Sequence, residues 1–159
     1  MAKAVKNNVL RHLERCGVVH TPYSYDISDG NIDAVSVANK IGRNPEEVFK
    51  TLVTRSAGPK YYVFIIPGCC ELDLKKAARA AGEKNIVMIK QKELLPLTGY
   101  IHGGCSPIGM KKQFPTFTDA TAKNFETILF SAGRIGYQVE ITLEELRKVL
   151  KFELVDITV

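Results

Sequence analysis

Residues 49–66 read Phe49-Lys50-Thr51-Leu52-Val53-Thr54-Arg55-Ser56-Ala57-Gly58-Pro59-Lys60-Tyr61-Tyr62-Val63-Phe64-Ile65-Ile66. Two β-branched and aromatic runs, Phe49 to Arg55 and Tyr61 to Ile66, flank a loop containing Gly58-Pro59, the pattern of a paired set of strands. The second run, Tyr61 to Ile66, is the longest clear apolar run in the chain. Lys50 interrupts the first run, and strand alternation places it on the face of Val48 and Leu52.

Outward from this pair, helices and strands alternate. Val5, Val9, Leu10, Leu13 and Cys16 form a helical stripe over residues 3–16, with Gly17 placed as a left-handed C-cap. Val18 to Asp26 reads as a strand and Val35 to Lys40 as a short helix closed by Gly42. Asn44-Pro45-Glu46-Glu47 supplies an N-cap, a proline at N1 and a carboxylate at N3 that can return the bond. Asp73 caps a helix through Leu74, Ala77, Ala78 and Ala81 that Gly82 stops, and Ile86-Val87-Met88-Ile89 reads as a short buried strand. A further helix starts near Gln91 and is expected to finish at Pro96. Strands follow at Phe114 to Thr118, Glu126 to Phe130 and Tyr137 to Ile141, then a capping box of Thr142 and Glu145 before Leu143 to Leu150, and a last strand over Phe152 to Val159. The expected architecture is α/β: a mixed, largely antiparallel sheet, barrel-like, with surrounding helices, in one domain over residues 1–159.

The chain of 159 residues has 22 basic and 17 acidic side chains, a net charge of +5, with 45% hydrophobic and 25% charged residues. These values exclude a disordered or low-complexity chain, and the basic excess suits a polyanionic partner as well as plain solubility. No apolar run approaches the roughly 18 residues of a spanning helix, and the first residues lack a secretory apolar core, so neither membrane insertion nor secretion is expected. Four cysteines carry no Cys-x-x-Cys spacing and are expected to be free thiols in the cytoplasm. Cys69, Cys105 and His102 lack the spacing of metal ligands; no metal and no cofactor is expected.

Residues 98–113 form a weakly periodic stretch, Thr-Gly-Tyr-Ile-His-Gly-Gly-Cys-Ser-Pro-Ile-Gly-Met-Lys-Lys-Gln, whose length suggests an ordered functional loop. Gly103 and Gly104 let a ligand approach backbone amides, which can donate to a carboxylate, a phosphate or a developing oxyanion; the plainer reading is a tight bend. The stretch is neither a dinucleotide fingerprint nor a Walker loop. Lys50 can fix a phosphate or polarise a carbonyl, or it can be a lysine snorkelling from a strand edge. Thr51 and Tyr23 are polar handles that suit a ribose or amine, or satisfied strand residues. Lys111-Lys112 can contact phosphates or simply face solvent. Cys105 and Ser106 invite a nucleophile reading, yet no histidine and carboxylate can be placed beside them from sequence.

Ordered along nearly the whole chain, Val48-Phe49-Lys50-Thr51-Leu52-Val53, Leu72-Asp73-Leu74-Lys75-Lys76, Thr98-Gly99-Tyr100, Gly103-Gly104 through Ser106-Pro107-Ile108-Gly109, Lys111-Lys112 and Ser131-Ala132-Gly133 resemble the YbaK family. That family comprises Cys-tRNA(Pro)/Cys-tRNA(Cys) deacylases related to the editing domain of bacterial prolyl-tRNA synthetase. The resemblance implies Lys50 as the active-site lysine and Gly103 to Pro107, including Gly104, Cys105 and Ser106, as the Gly-x-x-x-Pro loop that holds the aminoacyl carbonyl region. It further implies Tyr23, Thr51, Ser131 and Gly133 as substrate-binding positions. The chemistry it implies needs no enzyme nucleophile: the thiol of the substrate cysteine attacks its own ester, expelling the tRNA 3′ terminus as a thiolactone forms. The partners it implies are aminoacyl-tRNA, chiefly Cys-tRNA(Pro), and transiently prolyl-tRNA synthetase, with no DNA and no membrane. His102, Cys105, Ala132 and Ile135 depart from the family pattern. The alternatives kept open are trans-editing of another small aminoacyl group such as alanine, which a following comparison of alanyl and cysteinyl esters would separate, and a noncatalytic tRNA- or synthetase-binding protein.

Overall fold

The computed structural model describes residues 7–159. The elements run α1 (Asn8–Arg15), β1 (Thr21–Ser24), α2 (Ala34–Ile41), a 3-10 turn at Pro45–Glu47, β2 (Phe49–Ser56), β3 (Tyr61–Pro67), α3 (Leu74–Ala81), β4 (Ile86–Met88), α4 (Gln91–Thr98), β5 (Thr116–Asp119), a second 3-10 turn at Ala120–Asn124, β6 (Ile128–Ser131), β7 (Tyr137–Ile141), α5 (Leu143–Leu146) and β8 (Glu153–Val155). The start of the expected first helix, with Val5, lies outside the described residues. The strands form two sheets, β4-β2-β3-β5-β8 and β1-β7-β6. Pairing is antiparallel except for β3 with β5 and β5 with β8. An isolated parallel bridge between Val48 and Leu129 joins the sheets, so the wrapping is barrel-like and remains open.

The β2–β3 pair at the centre explains its own sequence. One face carries Phe49, Val53, Val63 and Ile65 into the larger core, which α1 completes with Val9 and Leu13. The other carries Leu52, Tyr62, Phe64 and Ile66 against Ala77 and Ala78 of α3. Covered on both sides, β3 has to be apolar throughout, and Val63 to Ile66 are fully buried. Asp73 accepts from the Lys75 and Lys76 amides at the start of α3, and Gly82 ends it at φ 73°, as expected from sequence.

Several local expectations are corrected. Glu47 does not return a capping bond; its carboxylate takes Arg43 Nε at 3.1 Å. Thr142 accepts from the Glu145 amide, but the Glu145 carboxylate is drawn to the Val19 amide at 2.7 Å and to Lys148. β4 is an exposed edge strand rather than a buried one, since Val87 and Met88 face solvent. Pro96 does not stop α4. The helix continues to Thr98, whose buried hydroxyl donates to the Leu94 carbonyl, and the cost of one missing amide near the last turn is tolerated there. The first and last strands are shorter than the runs that announced them.

Candidate functional site

β2 and β6 meet at the single parallel Val48–Leu129 bridge and do not pair further, while β4 covers β2 only at Thr54–Ser56. The edge of β2 at Lys50–Leu52 is therefore uncovered, and a cavity of about 250 Å³ opens beside it. Lys50, Thr51, Gly103, Cys105 and Ser131 line it, together with His102 and Gln138. α2 supplies the opposite wall through Ala34 and Val37. That wall can approach only because residue 68 is glycine: a Cβ there would collide with the Ala34 side chain.

Three polar features distinguish this cleft. Among the described residues, no carboxylate lies within 4.0 Å of the Lys50 ammonium. Thr51 Oγ1 and Gln138 Oε1 are buried without hydrogen-bond partners. Unpaired buried polar atoms cost stability, and two of the residues that carry them line this cavity, one on β2 and one on β7. Sequence reading missed Gln138. It pairs with Ser131 across β6 and β7, and both residues of that pair line the cavity.

The remaining sequence candidates are placed elsewhere. Tyr23 donates to Glu140 at 2.8 Å and accepts from Arg43 at 3.1 Å, outside the cavity lining. Arg43 also binds Glu47 and Glu140, tying the end of α2 to β7. Burial opposes the charge of Glu140, but bonds from Thr127, Tyr23 and Arg43 outweigh it and hold the carboxyl below its ordinary range. Ser106 is fully buried and accepts from the Ile108 amide at 3.3 Å, bracing the loop from behind. Gly104 donates its amide to the Ile101 carbonyl at 3.0 Å, and a Cβ there would press on the Ile135 backbone. Gly104 and Pro107 thus belong to the loop's frame, and the loop residues on the cavity wall are Gly103 and Cys105. Gly133 lies outside the cleft, where a Cβ would meet Val9 and Tyr100.

Burial pushes the Cys105 thiol up to about 12, despite a hydrogen bond with Thr98 that works the other way. It is a neutral wall at physiological pH, not a thiolate. Ser131 Oγ accepts from the Gly133 amide at 3.1 Å, which fixes the hydroxyl at the cavity edge. No cluster of three or more His, Cys, Asp or Glu side chains able to hold a metal occurs among the described residues.

The profile of the aminoacyl-tRNA editing domain matches residues 31–149, which include both walls of this cleft. The chain belongs to the aminoacyl-tRNA editing domain family. It is 43% identical over 155 residues to a protein of Enterococcus faecalis named as a candidate Cys-tRNA(Pro)/Cys-tRNA(Cys) deacylase, EbsC, covering 96% of this chain and 93% of that one. A proline–tRNA ligase of Shouchella clausii is 29% identical over 100 residues, 63% of this chain and 17% of the ligase. A solved structure described as a candidate trans-editing enzyme for prolyl-tRNA synthetase superposes with a TM-score of 0.82 at 22% identity, over 98% of this chain and 99% of that one. That last likeness is one of fold over nearly the whole of both chains.

Proposed function

We propose that this editing-family protein is a single-domain aminoacyl-tRNA deacylase that removes cysteine from Cys-tRNA(Pro), and also from Cys-tRNA(Cys). The observation that carries the reading is the cleft itself: Lys50, with no carboxylate partner among the described residues, lines it together with Thr51 and Gln138, whose Oγ1 and Oε1 are buried without partners, in a family member 43% identical to EbsC. The acceptors suit the α-ammonium of an aminoacyl ester, and Lys50 suits the carbonyl oxygen as negative charge develops on it. The amides of Gly103 and Cys105 stand on the same wall, with Gly104, Ser106 and Pro107 holding the loop in shape. Ser131 edges the pocket, whereas Tyr23 and Gly133 act on it only through β7 and the turn after β6.

The reading needs no nucleophile from the protein. Cys105 is protonated, and the Ser106 and Ser131 hydroxyls accept from backbone amides. The reading therefore uses the substrate: its thiol sulfur bonds to the ester carbonyl carbon, the bond from that carbon to the ribose 3′ oxygen breaks, and the thiol proton ends on that oxygen. The products are a cysteine thiolactone and deacylated tRNA, so the step is an intramolecular transfer rather than a direct hydrolysis. Holding sulfur and carbonyl in contact supplies several kcal/mol through effective molarity. Such an enzyme works where tRNA is charged, in the cytoplasm, and a transient encounter with prolyl-tRNA synthetase brings it mischarged product. No helix among the described residues is long and apolar enough to cross a membrane.

The test compares cysteinyl with seryl esters on one tRNA. They match in size and differ in the nucleophile, so the reading expects release of cysteine at least about tenfold faster. Equal release of both would overturn thiol assistance.

A further inference from the structure

A second cavity, of about 330 Å³, lies on the far side of the turn after β6. Its wall is chemically unlike the first. Asn7, Asn8 and Val9 bring the N-terminus of α1 to it, Lys111 and Arg134 bring two exposed cations, and no carboxylate lines it. Asn7 caps α1 with Oδ1, which accepts from the Leu10 amide at 3.1 Å. Its other terminus, Nδ2, is buried without a partner among the described residues, in a side chain only 5% exposed. Neither cation has an acidic partner within 4.0 Å among the described residues. An unused amide donor, free helix N-terminal amides and two cations around one space are the complement of a phosphate oxygen.

We propose that this cavity binds a backbone phosphate of the tRNA strand leading to the 3′ ester. The two cavities share a wall: Ser131 faces the cleft and Gly133 faces the second space. Two residues of chain span at most about 7.2 Å, close to two steps of a stacked strand at roughly 3.4 Å each. A strand with its ester beside Lys50 therefore crosses the Ser131–Arg134 turn and meets Lys111, Arg134 and Asn7 with its next phosphates. The tight fit of Gly133 between Val9 and Tyr100 fixes α1 at that distance. The proposal rests on the deacylase reading for the strand's direction, and its binding test does not need turnover.

The probes are deacylated tRNA for binding, Cys-tRNA for turnover, and 3′-cysteinyl-adenosine, an ester without a phosphate. Asn7→Asp keeps the capping oxygen and replaces the donor by an anion, so α1 stays capped while a phosphate is repelled. Asn7→Asp is expected to weaken tRNA binding about tenfold, and Lys111→Met with Arg134→Met to lower the salt dependence by about two charges. Both are expected to leave cysteinyl-adenosine turnover at the wild-type level, and the exposed Lys111→Met and Arg134→Met pair to leave thermal stability there too. Unchanged tRNA binding, or equal losses on tRNA and cysteinyl-adenosine, would overturn the site. Inorganic phosphate binding in the wild type, with tRNA affinity insensitive to Asn7→Asp, would assign the cavity to a free anion and overturn the strand assignment. Wild-type tRNA binding sensitive to Asn7→Asp, without turnover of either ester, would uphold the site and overturn the deacylase reading.

Discussion

Val48 and Leu129 pair in an isolated parallel bridge, both almost completely buried, and no further pair joins the two sheets among the strands of the described residues. The bridge is the hinge point of the cleft, because Lys50 and Thr51 follow Val48 on one side and Ser131 follows Leu129 on the other. Leu129→Ala removes a fully buried side chain at this seam and is expected to cost about 2–5 kcal/mol. Chemical denaturation measures the loss, which should appear as a lower midpoint.

Lys50→Ala should reduce deacylation of Cys-tRNA by about a hundredfold or more, the scale of losing a charge-stabilising donor, with the melting temperature little changed. Steady-state turnover beside a thermal melt checks both halves. Near-normal turnover would remove Lys50 from the chemistry.

Gln138→Leu and Thr51→Val each delete a buried polar atom that no part of the protein satisfies. Stability should hold or rise slightly, by up to about 1 kcal/mol, while turnover of the ester falls about tenfold. A variant that is more stable and less active shows that the atom serves the ligand; parallel losses would mean that it serves the fold.

Cys105→Ala should retain turnover within about threefold, since a thiol held near 12 cannot serve as a thiolate nucleophile at neutral pH. Alkylation should reach the exposed Cys16 and Cys69 well before the buried Cys105. Mass spectrometry of the labelled protein reads the order, and an acyl adduct on Cys105 would contradict the assignment.

Glu140 gives a pH test. Its folded value lies below the ordinary 4.5, so the stability it contributes is present above 4.5 and is lost as pH falls through the folded value. Wild-type stability should drop on acidification below about 4.5, and Glu140→Gln should flatten that limb while lowering stability at pH 7. Melts across pH 3–7 in roughly half-unit steps decide it.

Much of the fold was legible because it is written locally. Asp73 and Gly82 bracket α3 through contacts within one turn, and the apolar run of β3 reports two covered faces without reference to any partner. Where a side chain has a distant competitor, local reading fails: Glu47 prefers Arg43, and Glu145 prefers the Val19 amide 126 residues away. The site divides in the same way. Lys50 stands out in an apolar strand, and Gly103 stands out in a long loop. The reason for Gly104 is the backbone of Ile135, and the reason for Gln138 is its pairing with Ser131 beside the cavity, neither of which has a trace in neighbouring residues. Tyr23 looked like a pocket handle because a half-apolar tyrosine on a strand looks alike whether it meets a ligand or, as here, Glu140 and Arg43.

Release of amino acid from matched Cys-tRNA(Pro) and Ala-tRNA(Pro), corrected for spontaneous ester loss, tests the account most directly. The account predicts release of cysteine well above the uncatalysed rate and little release of alanine, whose side chain has no nucleophile. Preferential release of alanine, or release of neither, would contradict it.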